Sequence, residues 1–120
     1  MTGFAVFAHG SRIESANEAV RAVAARLAGA GGHVVEPAFL ELGEPDLVGA
    51  VERLVARGAT RIVVIPYFLT LGTHLHRDLP RLVAEISKRQ GGVAIEVTAP
   101  LDGHPALLEI LLDRAKEACV

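Results

Sequence analysis

At 120 residues with 51% apolar content, the chain is long enough for one hydrophobic core and short for two ordinary domains. Twelve Lys and Arg against 14 Asp and Glu leave a net charge of −2, and no basic run interleaved with aromatics offers a nucleic-acid surface. No apolar run approaches the roughly 20 residues of a membrane span. The amino end, Met1 to Gly10, lacks the basic region and long apolar run of a secretory signal, so a cytoplasmic location is the default expectation. The one cysteine, Cys119, has no partner for an internal disulfide and, next to last in the chain, is a poor candidate nucleophile.

Phe4 to Ala8 reads as a short buried strand, followed at once by His9-Gly10-Ser11-Arg12. Ala16, Ala19, Val20, Val23, Ala24 and Leu27 recur at three and four residues, one face of an amphipathic helix, with Gly29, Gly31 and Gly32 as its stop. Val34 to Leu42 reads as the second strand, and its Pro37 suits an edge or a bulge better than the sheet centre. Gly43-Glu44-Pro45-Asp46 reads as a turn and cap. A second helix carries Leu47, Val48, Val51, Leu54 and Val55 on one face and ends at Gly58.

Arg61 to Phe68 is the most apolar stretch, with four β-branched residues in a row as expected of a strand buried on both faces. The next segment, Leu69 to Arg77, reads as a loop. Asp78 is the expected N-cap of a third helix, with Leu79 and Pro80 in its first turn, where a proline forfeits no hydrogen bond. Leu82, Val83 and Ile86 continue that helix and Gly91-Gly92 breaks it. Val93 to Val97 supplies a fourth strand, Pro100 to Pro105 a last loop, and Leu107, Leu108, Leu111, Leu112 and Ala115 a final helix.

Strict alternation of strand and helix implies parallel strands joined by right-handed crossovers. The expected fold is a single doubly wound α/β domain spanning 1–120, with a four-stranded parallel sheet of order 2-1-3-4 flanked by helices. Its switch point lies between strands one and three, where ligands of open α/β sheets bind at the carboxyl edge.

That topology brings His9, after strand one, and His74, after strand three, to the two lips of one crevice. Glu41 belongs to the same edge. Two imidazoles and a carboxylate suit a divalent first-row metal such as iron, cobalt, nickel or zinc, and neutral imidazole is also a proton acceptor near neutral pH. The plainer alternatives are a histidine that only hydrogen-bonds its loop and, for Glu41, a solvated or capping carboxylate. His33 falls on the opposite edge and is expected to be exposed. His104 fits a rim contact or a helix cap, and His76, two residues from His74, should point elsewhere. Ser11 and Arg12, taken as opening the first helix, offer amide N–H groups and a guanidinium to an anion, and Thr73 and Arg77 do so more weakly.

His9-Gly10-Ser11-Arg12, Phe39-Leu40-Glu41-Leu42 with Pro45, Pro66-Tyr67-Phe68-Leu69, and Gly72-Thr73-His74 leading to Asp78-Leu79-Pro80 together resemble the small sirohydrochlorin chelatases of the CbiX/SirB type. Each motif alone is weak; four in the right order, with Gly103-His104-Pro105, cover nearly the whole chain. The resemblance implies a chelatase-like fold and ATP-independent insertion of cobalt, iron or nickel into sirohydrochlorin, on the way to cobalamin, siroheme or a related nickel cofactor. It implies His9 and His74 as the catalytic, metal-contacting pair, Glu41 as their assistant, and a homodimer. The metal is substrate, and no nucleotide is expected, in keeping with the lack of a P-loop pattern. The carboxylates of the tetrapyrrole are assigned to Ser11, Arg12, Thr73 and Arg77.

Two rival classes follow from the same residues. One is a hydrolase, either zinc-dependent or a histidine phosphatase, although the phosphatases place arginine immediately before the histidine and here that position is Ala8. A zinc hydrolase needs a third firm ligand, for which Glu41, His76 and His104 are the candidates. The other is a non-enzymatic module that binds a tetrapyrrole or metal.

Overall fold

Short β-branched runs alternating with amphipathic stretches become, in the computed structural model, four strands and four helices within the described residues, 1–119. In order these are β1 (Thr2–Ala8), α1 (Glu14–Gly31), β2 (Val34–Phe39), α2 (Leu47–Ala56), β3 (Arg61–Pro66), α3 (Gly72–Arg89), β4 (Ala94–Val97) and α4 (Pro105–Ala118). All strand pairs are parallel, as the alternation implies, and the sheet order is β2-β1-β3-β4, as expected. Pro37 pairs with Val6 in β2, an edge strand, where a missing N–H is tolerated.

Alternate residues of β1 feed opposite faces, the period-two rule of a strand. Ala5 and Phe7 join Ile62 and Val64 with Leu47, Ala50, Val51 and Leu54 of α2 and Leu79 and Ile86 of α3. Val6 and Ala8 join Val35 and Phe39 with Val20 and Ala24 of α1. Helices therefore cover both faces and leave the carboxyl edge of the strands open.

Several boundaries differ from those the sequence suggests, and those at the start of α1 and the end of β2 move site residues. α1 opens at Glu14 after Ile13, so Ser11 and Arg12 lie in the loop before it. It also runs through Gly29 and Gly31 before Gly32, at φ 64°, ends it. β2 stops at Phe39, which leaves Glu41 in the bend that follows, and β3 stops at Pro66.

The largest correction concerns α3. It begins at Gly72, so Thr73, His74, His76 and Arg77 are helical, Asp78 caps nothing, and Pro80 sits inside the helix. Leu71 and Leu75, at the spacing that leads to Leu79, pack against the core and carry the helical pattern upstream. Burying them outweighs the hydrogen bond that Pro80 cannot make, on a side of the helix that is exposed.

The last helix forms where its leucine spacing indicates, yet it has no buried residue. Leu108, Ile110, Leu111 and Leu112 are 63%, 50%, 65% and 51% exposed. The elongated outline, 54 × 33 × 29 Å, matches a helix that stands away from the sheet.

Candidate functional site

The site starts from the end of β1. Phe7 and Ala8 are fully or almost fully buried, and the next residue, His9, emerges at the carboxyl edge. The bend after β2 continues the ladder beside it: Leu40 N–H donates to Ala8 O at 2.9 Å and Glu41 N–H to His9 O at 3.1 Å. The two side chains are thereby made neighbours, with His9 Nε2 3.3 Å from Glu41 Oε1. Their exposures of 61% and 57% leave the pair open to a ligand. A carboxylate at that distance favours the proton on Nε2, which leaves the lone pair of a neutral ring on Nδ1.

Gly10 makes this approach feasible. Its φ is +93°, and a Cβ built there would stand 1.7 Å from the Glu41 carbonyl oxygen. No side chain fits between the two loops.

From the other side of the crevice, the loop after β3 contributes Phe68. Tyr67 N–H donates to Phe7 O at 2.7 Å, and the Phe68 ring meets Phe7 at 5.8 Å and the His9 imidazole at 6.3 Å, edge to face in both cases. Phe68 thus forms the apolar wall behind His9. It was part of a recognised motif but carried no assigned role; its aromatic character directly after the core strand was the available signal.

His74 lies exposed in the first turn of α3. An Arg77 guanidinium N–H donates to its Nδ1 at 3.3 Å, one helical turn on, so its Nδ1 lone pair is engaged. Arg77 also donates from Nε to Asp78 at 3.0 Å. That hydrogen bond, more than the charge attraction that accompanies it, holds the Asp78 carboxyl below the usual carboxylate range.

Among the described residues no three His, Cys, Asp or Glu side chains gather into a group able to hold a metal. His9 and Glu41 are together; His74 does not complete a three-donor cluster with them. The other candidates for a third ligand do not join the pair either. His104 caps α4, its Nδ1 accepting from Ala106 N–H at 3.0 Å, and His76 lines a cavity of about 520 Å³ with Thr70, Leu71, Gly72, Thr73 and Pro100. His33 is exposed beside Phe4.

The anion-binding elements are also rearranged. Ser11 N–H is taken by Asn17 Oδ1 and Ile13 N–H by Ser11 Oγ, so these amides are not free for a ligand. The Arg12 guanidinium, by contrast, is exposed and has no ion-pair partner among the described residues. Asn17, which takes the Ser11 amide, is a helix position with no period or motif to mark it in the sequence.

An open parallel sheet with an exposed imidazole–carboxylate pair at its carboxyl edge, and a second exposed histidine in the first turn of the helix that follows β3, defines a class of α/β protein that binds its ligand at that edge. Within that class the chain belongs to the CbiX family, whose profile matches residues 3–118.

It is 38% identical over 113 residues to the chloroplastic sirohydrochlorin ferrochelatase of Arabidopsis thaliana, covering 93% of this chain and 50% of that protein. It is 33% identical over 120 residues to the sirohydrochlorin cobaltochelatase of Sulfolobus acidocaldarius, covering 98% of this chain and 93% of that one. Among solved structures, a putative cobalamin biosynthesis CbiX protein from Marinobacter aquaeolei superposes with a TM-score of 0.87 at 28% identity, covering 99% and 98% of the two chains. The sirohydrochlorin chelatase SirB from Bacillus subtilis subspecies spizizenii, in complex with cobalt, gives 0.88 at 27% identity, covering 97% of this chain and 50% of SirB. The chain therefore spans half of the longer relatives and nearly all of the shorter ones.

Proposed function

We propose that this chain inserts a divalent metal, cobalt or iron and by the same chemistry nickel, into sirohydrochlorin without ATP. The observation that carries the reading is the exposed His9–Glu41 pair at the carboxyl edge of a CbiX-family fold. The ferrochelatase and cobaltochelatase names of its relatives support the substrate and the metals.

A free tetrapyrrole must lose two pyrrolic protons as the ion enters, so the site needs a metal donor and a proton acceptor. Neutral His9, with Nδ1 unengaged and Glu41 beside Nε2, suits either task. His74 becomes equivalent only when Arg77 releases its Nδ1. A peripheral carboxylate of the substrate gives Arg77 a stronger partner than a neutral ring, and binding the macrocycle then frees the second imidazole. Arg12, exposed and without an ion-pair partner among the described residues, takes another carboxylate. A site short of three firm protein ligands suits an ion that has to be handed on.

The macrocycle is large for one open crevice, and the exposed leucines of α4 need a cover, which supports a homodimer. The testing experiment follows sirohydrochlorin absorbance with Co2+, Fe2+ or Ni2+ in turn, with and without the protein. Acceleration of insertion supports the reading. Tight binding of sirohydrochlorin with no acceleration would instead make the chain a carrier.

A further inference from the structure

Asn17, on the first turns of α1, is 1% exposed and is the buried polar side chain of the described core. All of its amide hydrogen-bonding directions towards the site are used. Oδ1 accepts from Ser11 N–H at 2.9 Å, while Nδ2 donates to Ser11 O and to Leu42 O, each at 2.9 Å. Ser11 is two residues beyond His9, and Leu42 is the residue after Glu41. One buried amide therefore ties down the far ends of both loops that carry the imidazole–carboxylate pair.

Between those ties the loops are joined by backbone pairing, Leu40 N–H to Ala8 O and Glu41 N–H to His9 O, and by the His9–Glu41 side-chain pair itself. Leu42 has a φ of +57°, a left-handed conformation that leucine adopts only when its surroundings impose it. The Asn17 bond to its carbonyl is such a constraint. It fixes where the chain turns after Glu41 and hence where that carboxylate points.

We infer that Asn17 is a positioning residue for the metal-insertion site, acting through the Ser11 and Leu42 carbonyls to hold His9 and Glu41 in register. The inference rests on the function proposed above. Neither Ser nor Ala reproduces an amide that accepts once and donates twice, and Asp keeps the acceptor but loses both donors.

The test compares Asn17→Ala, Asn17→Asp and Val51→Ala, the last a core change in α2 remote from the two loops, by hydrogen exchange, Co2+ binding and steady-state insertion. In Asn17→Ala the amides of Ser11 and Glu41 should lose protection while those of Ile62 and Val64 keep it. Its kcat should fall on the order of tenfold or more, the range typical of groups that orient a metal ligand. Asn17→Asp should retain the Ser11 amide's protection and still lose activity. Combined with Glu41→Gln, Asn17→Ala should add little to the loss that Glu41→Gln causes alone.

The inference is overturned if Asn17→Ala lowers thermal stability but keeps kcat and Co2+ affinity as Val51→Ala does, or if its effect simply adds to that of Glu41→Gln. Should the unaltered protein fail to accelerate metal insertion, the proposed function falls. The positioning role is then decided by exchange at Ser11 and Glu41 and by affinity for Co2+ alone.

Discussion

His9 Nε2 stands 3.3 Å from Glu41 Oε1 although the two residues come from different β–α units. The parallel pairing of β1 with β2, extended past Ala8 and Phe39 by the Leu40 and Glu41 amides, creates this neighbourhood. Replacing His9 with Ala removes a lone pair that nothing nearby replaces. Insertion should slow by about 10²- to 10⁴-fold, the usual range for losing a positioned acid–base group. Glu41→Gln keeps the shape and removes the charge, and about 10- to 100-fold is expected. Initial rates by absorbance check both, with circular dichroism to show that the fold persists.

Gly10 is the steric condition for that pair. A methyl group in Gly10→Ala meets the Glu41 carbonyl and also inherits a positive φ, so the bend after β2 has to move. Stability should fall by more than about 1 kcal/mol, since alanine is incompatible with this backbone. Urea unfolding measures the loss, and an unchanged midpoint would mean that the two loops are not held this closely.

Arg77 links His74 to Asp78, and its hydrogen bond holds the Asp78 carboxyl low. A carboxyl depressed in the folded state stabilises the fold above its unfolded pKa, and that contribution disappears as the pH falls through the lower folded value. Arg77→Leu should therefore return the Asp78 titration upward, towards the ordinary carboxylate range. The pH-dependent contribution should shrink with it, leaving the weaker attraction of Arg81, and a carboxyl-detected NMR titration reads the change. The same substitution frees His74 Nδ1 but removes a carboxylate-binding cation, so KM for sirohydrochlorin should rise.

Leu108, Leu111 and Leu112 lie at helical spacing on α4, and all are at least half exposed. If a second copy covers them, Leu111→Glu should shift the protein from dimer to monomer in sedimentation velocity without unfolding the sheet. A wild-type chain that is monomeric at micromolar concentration would contradict the homodimer.

The parallel sheet and the edge position of β2 were legible because the first follows from the alternation of strands and helices and the second from Pro37. The start of α3 was not. Asp78-Leu79-Pro80 imitates a capped helix start, whereas the signal that prevails is the Leu71, Leu75, Leu79 spacing, which makes sense only once the core strand is in place to receive those side chains. The pairing of His9 with Glu41 could be anticipated from topology. The Arg77 contact with His74 could not, since it requires both residues to be helical. Asn17 was invisible for a further reason: its three partners lie in loops whose paths no periodicity reveals.

The most direct measurement is the rate of Co2+ entry into sirohydrochlorin with the unaltered protein, with His9→Ala and with His74→Ala, under identical conditions and without ATP. Rapid insertion by the unaltered protein and near-background rates for each variant are expected. Insertion no faster than the uncatalysed reaction, or full activity in either histidine variant, would contradict the proposed function.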